Sequence, residues 1–283
     1  MLNWNWVTKH TGFEIPKYIR EAVFMQEQGY TEEFDDVDNR SLHLIATDDG
    51  KPAACLRLFR ERDSLFAVGR VAVLPPYRGT GLGALCMAQA EKKAAYLGAQ
   101  ALGLSAQCRV RGFYERSGYT ATGDEYPDEG VPHIHMEKAL IGDGVNVRWA
   151  QPGGDISPAL ALRRAVFGGE FGYTTGPDEH DPHSHNFMLL RDGEVIACGR
   201  ALPQGESVCK LGKIAVRKDL RGSGLGMRLM EILCFRALEL GAQEVTLSAQ
   251  LVAQGFYECL GFSSLGDVFP IEGKPHIQMY KRL

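Results

Sequence analysis

Little in this chain invites a metal, a membrane or a nucleic acid. Its seven cysteines include no C-x-x-C pair, and no histidines stand at the spacing a zinc site needs; this speaks against a metal centre and against a disulfide framework. An odd, scattered set of thiols reads as reduced, which places the chain in the cytoplasm. The apolar runs are too short to span a bilayer, and the opening Met1–Gly12 stretch lacks the apolar core of a signal peptide. Basic residues are not in excess: 31 Lys and Arg stand against 35 Asp and Glu, a formal charge of -4, with no basic cluster. No electrostatic footprint for nucleic acid follows. What remains is an ordinary globular composition, 45% hydrophobic and 23% charged over 283 residues, long enough for one large domain or two of common size.

The informative feature is internal repetition. Arg78-Gly79-Thr80-Gly81-Leu82-Gly83 returns 143 residues later as Arg221-Gly222-Ser223-Gly224-Leu225-Gly226. At the same offset Leu104–Gln107 returns as Leu247–Gln250, Gly112–Glu115 as Gly255–Glu258, and Pro132–Ile134 as Pro275–Ile277. Arg20, Ala22, Val23 and Phe24 return as Arg163, Ala165, Val166 and Phe167. A period of this length is a whole domain, not a solenoid unit. The expected division is residues 1–142 and 143–283, meeting near Gly142, with a junction short enough to predict docked halves.

Short apolar, β-branched runs at Val68–Leu74 and Leu211–Val216 read as strands. Each leads through its glycine-rich turn into a helix, marked in the second copy by Leu225, Leu229, Ile232, Leu233 and Leu240 at helical spacing. Gly98 and Gly241 suit the left-handed residue that ends a helix. Strands over 101–106 and 244–249 follow, then short helices stopped by Gly118 and Gly261. Each half is therefore a mixed α/β domain, a twisted mixed sheet flanked by helices.

A glycine-rich turn at a helix N-terminus is an anion site, because the first-turn N–H groups lack helical partners and the dipole adds positive charge. The pattern here is neither the G-x-G-x-x-G dinucleotide fingerprint nor a P-loop. R-G-x-G-L-G after a strand, then a helix, a strand and the FYE segment, resembles the GNAT superfamily of acyl-CoA N-acyltransferases. The run from LSAQ through GFYE to PHI-x-M is similar to its ElaA-like branch, as are Phe24–Gln28 and His43 in the first copy. The second copy departs there, with Phe171 and Asn186 at the places of Gln28 and His43.

The resemblance implies acetyl-CoA as co-substrate. Arg78, Gly79, Thr80, Gly81, Leu82 and Gly83 would cradle its pyrophosphate, as would Arg221, Gly222, Ser223, Gly224, Leu225 and Gly226. Val71 and Val73, or Ile214 and Val216, would pair with the pantetheine arm, and one backbone N–H there would polarise the acetyl carbonyl. Gln107 and Gln250 stand where many members have a cofactor-contacting Asn. Tyr114 and Tyr257 match the usual general acid. The strand Glu that serves many members as base is Gly69 and Gly212 here, which leaves His133 and His276 as the candidate bases, and His43 behind them. His180, His183 and His185 share a stretch with Asp178, Glu179 and Asp181; it reads as a solvated loop and not as a metal site. Nothing marks Cys55 or Cys198 as a nucleophile.

The reading that follows is an acetyl-CoA-dependent N-acetyltransferase in which a small-molecule or peptide amine attacks the thioester directly. Two alternatives stand beside it: one catalytic half with a structural or regulatory partner half, and a non-catalytic acyl-CoA sensor. The first copy is expected to do more of the chemistry, because only it keeps Glu27-Gln28 and His43. A monomer of two docked domains and a homodimer are both open.

Overall fold

The computed structural model describes residues 1–62 and 64–283. The chain divides into two compact units, Met1–Gly142 and Asp143–Leu283. In the first unit the strands are β1 (Leu2–Val7), β2 (Leu42–Asp48), β3 (Lys51–Arg62), β4 (Leu65–Val73), β5 (Ala101–Gln107), β6 (Thr120–Ala121), β7 (Tyr126–Asp128) and β8 (Val131–Ala139). Its helices are α1 (Glu14–Arg20), α2 (Leu82–Tyr96) and α3 (Arg111–Arg116). The second unit repeats the plan with β9 (Asn146–Ala150), α4 (Ser157–Arg163), β10 (His185–Arg191), β11 (Glu194–Gln204), β12 (Val208–Val216), α5 (Leu225–Glu239), β13 (Glu244–Gln250), α6 (Gln254–Cys259), β14 (Ser263–Ile271) and β15 (Lys274–Arg282).

The sheets run β1-β2-β3-β4-β5-β8-β6, with β7 also on β8, and β14-β15-β13-β12-β11-β10-β9. Both are mixed: β4–β5 and β12–β13 pair in parallel, and the other described pairs are antiparallel. A parallel pair needs a crossover, and α2 and α5 supply it.

Period-2 alternation along β11 shows how the layers form. Cys198 packs with Ala159, Leu162 and Val166 from the α4 side. The next residue, Gly199, faces Leu229 and Leu233 of α5 and leaves no room for a side chain, since an added Cβ would stand 2.8 Å from Leu233. The two helices therefore cover opposite faces of one sheet. In α5 the buried Leu225, Leu229, Ile232 and Leu233 recur at one-turn spacing, so its apolar stripe lies on β11 and β12. Burying one such leucine stabilises by roughly 2 kcal/mol. In the first unit Ile19, Val23, Cys55 and Ala72 form the matching core. Both α1 and α4 continue into a wider π-helical turn, Glu21–Glu27 and Arg164–Glu170, an irregularity that often marks a functional site.

Candidate active site

The parallel pairing is brief. β4 meets β5 only from Leu65↔Ala101 to Val68↔Leu104, and β12 meets β13 only from Val208↔Glu244 to Lys210↔Thr246. Beyond those points the strands run on, to Val73 and Gln107 and to Val216 and Gln250, without pairing. Each sheet thus splays, and the backbone edges at Val71 and Ile214 face an opening. On the other edge of β4 the pairing with β3 has a register shift, as has that of β12 with β11, and there Arg70 and Lys213 stand at φ +54° and +53°.

At the wide end of each splay the expected anion loop leads into its helix. Gly81 and Gly224 precede α2 and α5 with φ +85° and +87°, conformations a side chain would resist. They turn the free N–H groups of the first helical turn outward. Thr80 and Ser223 each donate a hydroxyl to the carbonyl three residues back, at 2.7 and 2.6 Å, tightening the same turn. Gly83 and Gly226 serve packing: an added Cβ would touch the ring of Phe113 or Phe256 at 3.4 or 3.3 Å. That contact seats the FYE segment against the loop. The arginines differ from expectation. Arg78 donates through Nε to the Val73 carbonyl (2.9 Å) and clamps Glu27 with both terminal nitrogens. Arg221 does the same with Val216 and Glu170. Their guanidinium groups tie the loop to the π-helical turn, and the Val73 and Val216 carbonyls are occupied.

The second unit holds a cleft of about 740 Å³ that runs from Arg221, Gly222, Gly224 and Gly226 past Ile214, Gln250 and Tyr257 to Tyr173 and His276. Tyr257 is 9% exposed, and burial pushes its hydroxyl up to about 12. His276 donates from Nδ1 to the Lys274 carbonyl (2.8 Å), which leaves Nε2 as an acceptor facing the Tyr173 hydroxyl at 3.3 Å.

The first unit's cleft, about 630 Å³, contains Val71, Gln107, Tyr114 and His133 but not residues 78–83. Burial likewise raises Tyr114 to about 12, and His133 donates from Nδ1 to the Val131 carbonyl (2.9 Å). A polar strap crosses this splay. Gln107 donates to Gln28 (3.2 Å) and to the Tyr30 hydroxyl (2.9 Å), while Arg109 reaches Gln107 (2.7 Å) and Gln28 (3.3 Å). At the places of Gln28 and Arg109 the second unit has Phe171 and Val252, which cannot bridge, and its cleft stays open to the loop. The linings also differ in charge. The first cleft includes Glu32, Glu61, Asp128, Glu129 and Glu137; at those positions the second chain segment has Thr175, Gln204, Ile271, Glu272 and Tyr280.

Several expectations need correction. His43 is 1% exposed and outside both clefts; its Nε2 lies 3.4 Å from the Asp38 carbonyl. Burial drops its pKa to about 4, so it is a neutral core group and not an acceptor-side base. Glu27 is engaged by Arg78, as Glu170 is by Arg221, so it does not distinguish the copies. The reasons for favouring the first copy reduce to Gln28, which belongs to the strap. The histidine-rich stretch 178–185 is solvated at Glu179, His180 and His183, but it is anchored at Asp181, which is 4% exposed and held by Arg163 at 2.8 Å and Arg200 at 2.9 Å, and His185 sits in β10. Among the described residues no group of His, Cys, Asp or Glu is arranged to hold a metal. The side chain of Arg57 passes over Gly69, its Nε 3.4 Å from an added Cβ, and that of Arg200 lies 3.9 Å from one at Gly212; both are ordinary contact distances, so packing does not itself require glycine at either place. Burial pushes the Cys55 thiol far up and that of Cys198 to about 11, so neither is a nucleophile.

Two functional candidates escaped the sequence reading. Tyr30 and Tyr173 carry polar contacts inside the clefts, and the signal was present: Gly29-Tyr30 and Gly172-Tyr173 share the 143-residue offset. The second is a buried ion network. Asp38 takes Arg20 and Arg57, and Asp181 takes Arg163 and Arg200. Burial pulls the Asp38 carboxyl up, but the two arginines outweigh it and hold the group below the usual carboxylate range.

Two family models match the chain, the acetyltransferase (GNAT) domain over residues 14–140 and the acetyltransferase (GNAT) family over residues 159–262. The chain is 37% identical over 124 residues to the uncharacterized N-acetyltransferase YjcF of Bacillus subtilis, covering 43% of this chain and 88% of that protein. It is 29% identical over 127 residues to the B. subtilis protein YyaT, covering 43% and 85%. Among solved structures, an acyl-CoA N-acyltransferase from Pseudomonas aeruginosa matches with 29% identity and a TM-score of 0.45, over 49% of this chain and 100% of that one. Escherichia coli ElaA matches with 25% identity and a TM-score of 0.45, over 49% and 99%. No described helix is long and apolar enough to cross a membrane.

Proposed function

Because the chain belongs to the GNAT acetyltransferase family and carries two of its domains in tandem, we propose that each unit binds acetyl-CoA in its splay and that the protein is an N-acetyltransferase for a small-molecule or peptide amine. The observation that carries this reading is the second unit's continuous cleft, which joins a helix N-terminus to an unpaired strand edge and then to a buried tyrosine and a histidine. An elongated co-substrate with a diphosphate at one end and a narrow amide-bearing arm fits that sequence of features. The loop N–H groups of 222–226 receive the diphosphate. The free edge of β12 at Ile214 pairs with the arm, and an N–H there faces the acetyl oxygen.

Transfer needs two protons handled in place. The amine must lose one to attack, and the departing sulfur must gain one. His276, fixed as the Nδ1–H tautomer, offers Nε2 as acceptor, directly or through the Tyr173 hydroxyl. Tyr257, protonated throughout the physiological range, donates toward the sulfur as the carbon–sulfur bond breaks and the carbon–nitrogen bond forms. His133 and Tyr114 occupy the same places in the first unit. Its strap must open before residues 78–83 and Tyr114 serve one molecule, so the second unit is the one poised for turnover. Seven free thiols suit the reducing cytoplasm in which we place this reaction.

Release of free thiol from acetyl-CoA tests the reading, measured across small amines, polyamines, amino acids and peptides. Amine-dependent release with a matching acetylated product is expected. Tight acetyl-CoA binding with no release for any acceptor would favour the sensor.

A further inference from the structure

The two buried ion networks are not equivalent. In the first unit Arg20, Arg57 and Arg70 face Glu33, Asp35 and Asp38, three cations against three carboxylates. In the second, the ion pairs of Arg163, Arg200 and Lys213 among the described residues are with two carboxylates, Asp178 and Asp181; Glu272, held by the Thr174 N–H, acts on Lys213 from farther off and makes no ion pair with Arg163. The missing member is the counterpart of Glu33, which is Gly176. Glu33 accepts Arg20 Nε at 2.6 Å. Arg163, 2% exposed, gives NH1 to Asp181 (2.8 Å) and NH2 to Asn186 (2.6 Å), and its Nε has no hydrogen-bond partner among the described residues. The Cys198 sulfur lies within weak hydrogen-bonding reach of this guanidinium, but the thiol is neutral and donates its proton to the Ala159 carbonyl, so it is at most a weak acceptor and supplies no charge. A Cβ at Gly176 would meet nothing within 4 Å, so the position itself has room for a side chain. Arg163 and Gly176 both line the cleft that holds Tyr257 and His276.

A buried guanidinium edge without a carboxylate partner, on a residue that lines a ligand cleft, asks for a carboxylate from outside the chain. We propose that the second unit takes an amine acceptor that also bears a carboxylate, such as an amino acid, and that this carboxylate binds Arg163 Nε where Glu33 binds Arg20 in the first unit. The first unit, with its network already neutral, has no such site. Arg57 Nε also lacks a partner, but the charge of Arg57 is matched by Asp35 and Asp38. The proposal rests on the acetyltransferase reading for the amine and its product, but not for the carboxylate site itself.

The test uses the whole chain and two readouts. In proton–nitrogen NMR of the arginine Nε–H groups, sodium propionate should shift one resonance downfield at saturation and propionamide should not. That resonance should be absent in Arg163→Lys, which keeps the charge but loses Nε. In Glu33→Ala, which leaves Arg20 as Arg163 is now, a second propionate-sensitive resonance should appear. In turnover, L-phenylalanine should exceed L-phenylalaninamide in kcat/KM by about tenfold to a hundredfold, the range expected when one charge-assisted hydrogen bond is lost. Propionate sensitivity without turnover of any amine would leave the site standing and sink the acetyltransferase reading. Turnover of acid and amide at equal rates, with no propionate-sensitive Nε–H, would overturn the proposal and leave that reading intact. A propionate response that persists in Arg163→Lys would also overturn it.

Discussion

The hydroxyls of Tyr114 and Tyr257 can be removed with little disturbance to the fold. Tyr257 is 9% exposed, and its ring packs edge-on against Phe256 and Phe262 at centroid distances of 5.1 and 5.9 Å. Tyr114 makes the same contacts with Phe113 and Tyr119 at 4.9 and 6.1 Å. Phenylalanine preserves the ring in both places, so stability should change by no more than about 0.5 kcal/mol. What is lost is a hydroxyl that burial holds protonated to about pH 12, so in the proposed role it would be available as a donor across the whole assayed range. Loss of a positioned acid costs roughly a hundredfold or more in kcat, with the KM for acetyl-CoA within about twofold, because the phosphate loop is untouched. Each single variant should remove only its own unit's share of turnover, and the Tyr257→Phe share should be the larger with the strap closed. The double variant Tyr114→Phe, Tyr257→Phe should fall to about 1% of the parent or less. Steady-state thiol release at saturating acetyl-CoA measures all three. Turnover within threefold of the parent in the double variant would show that the tyrosines only pack.

The strap and the buried histidine give two further tests. Gln28→Phe copies Phe171 and removes the Gln28 contacts of Gln107 and Arg109 while their bonds to Tyr30 and to each other remain, so hydrogen bonds worth about 0.5–1.5 kcal/mol each need not be broken on binding; first-site acetyl-CoA affinity in calorimetry should rise roughly threefold to tenfold, and unchanged or weaker binding would count against a closed strap. His43 has its pKa lowered by burial from 6.5 to about 4, so between those values the unfolded chain binds a proton that the folded chain refuses. Stability is therefore complete above about pH 6.5 and falls as the pH drops toward 4, by up to about 3 kcal/mol. His43→Asn, the residue the second unit has at Asn186, should shrink the difference in urea midpoint between pH 7 and pH 4.5; an undiminished difference would place the acid sensitivity elsewhere.

Much of this was legible in the chain because the same segment is written twice. The loops, the helix ends at Gly98 and Gly241, and the α5 stripe depend on residues close in sequence, where spacing alone sets geometry. The splay was not legible: Val68–Val73 looks like continuous strand, and only the pairing with β5 shows where the opening begins. The arginines of the loops looked like phosphate ligands because the partner that occupies them, Glu27 or Glu170, lies 51 residues away. Arg20 and Asp38 are likewise joined by a turn of chain that local pattern does not describe. That Arg57 passes over Gly69 shows only once two strands are laid side by side, and the loss of Glu33 at Gly176 means nothing until Arg163 is seen without a carboxylate at Nε.

The central claim is that both units hold acetyl-CoA in their splays. Calorimetric titration of the whole chain with acetyl-CoA tests it most directly: two molecules should bind per chain, the second-unit site losing affinity in Gly222→Ala, where φ is +79°, while the first is unaffected. A stoichiometry of one or none, or two sites indifferent to Gly222→Ala, would contradict the account.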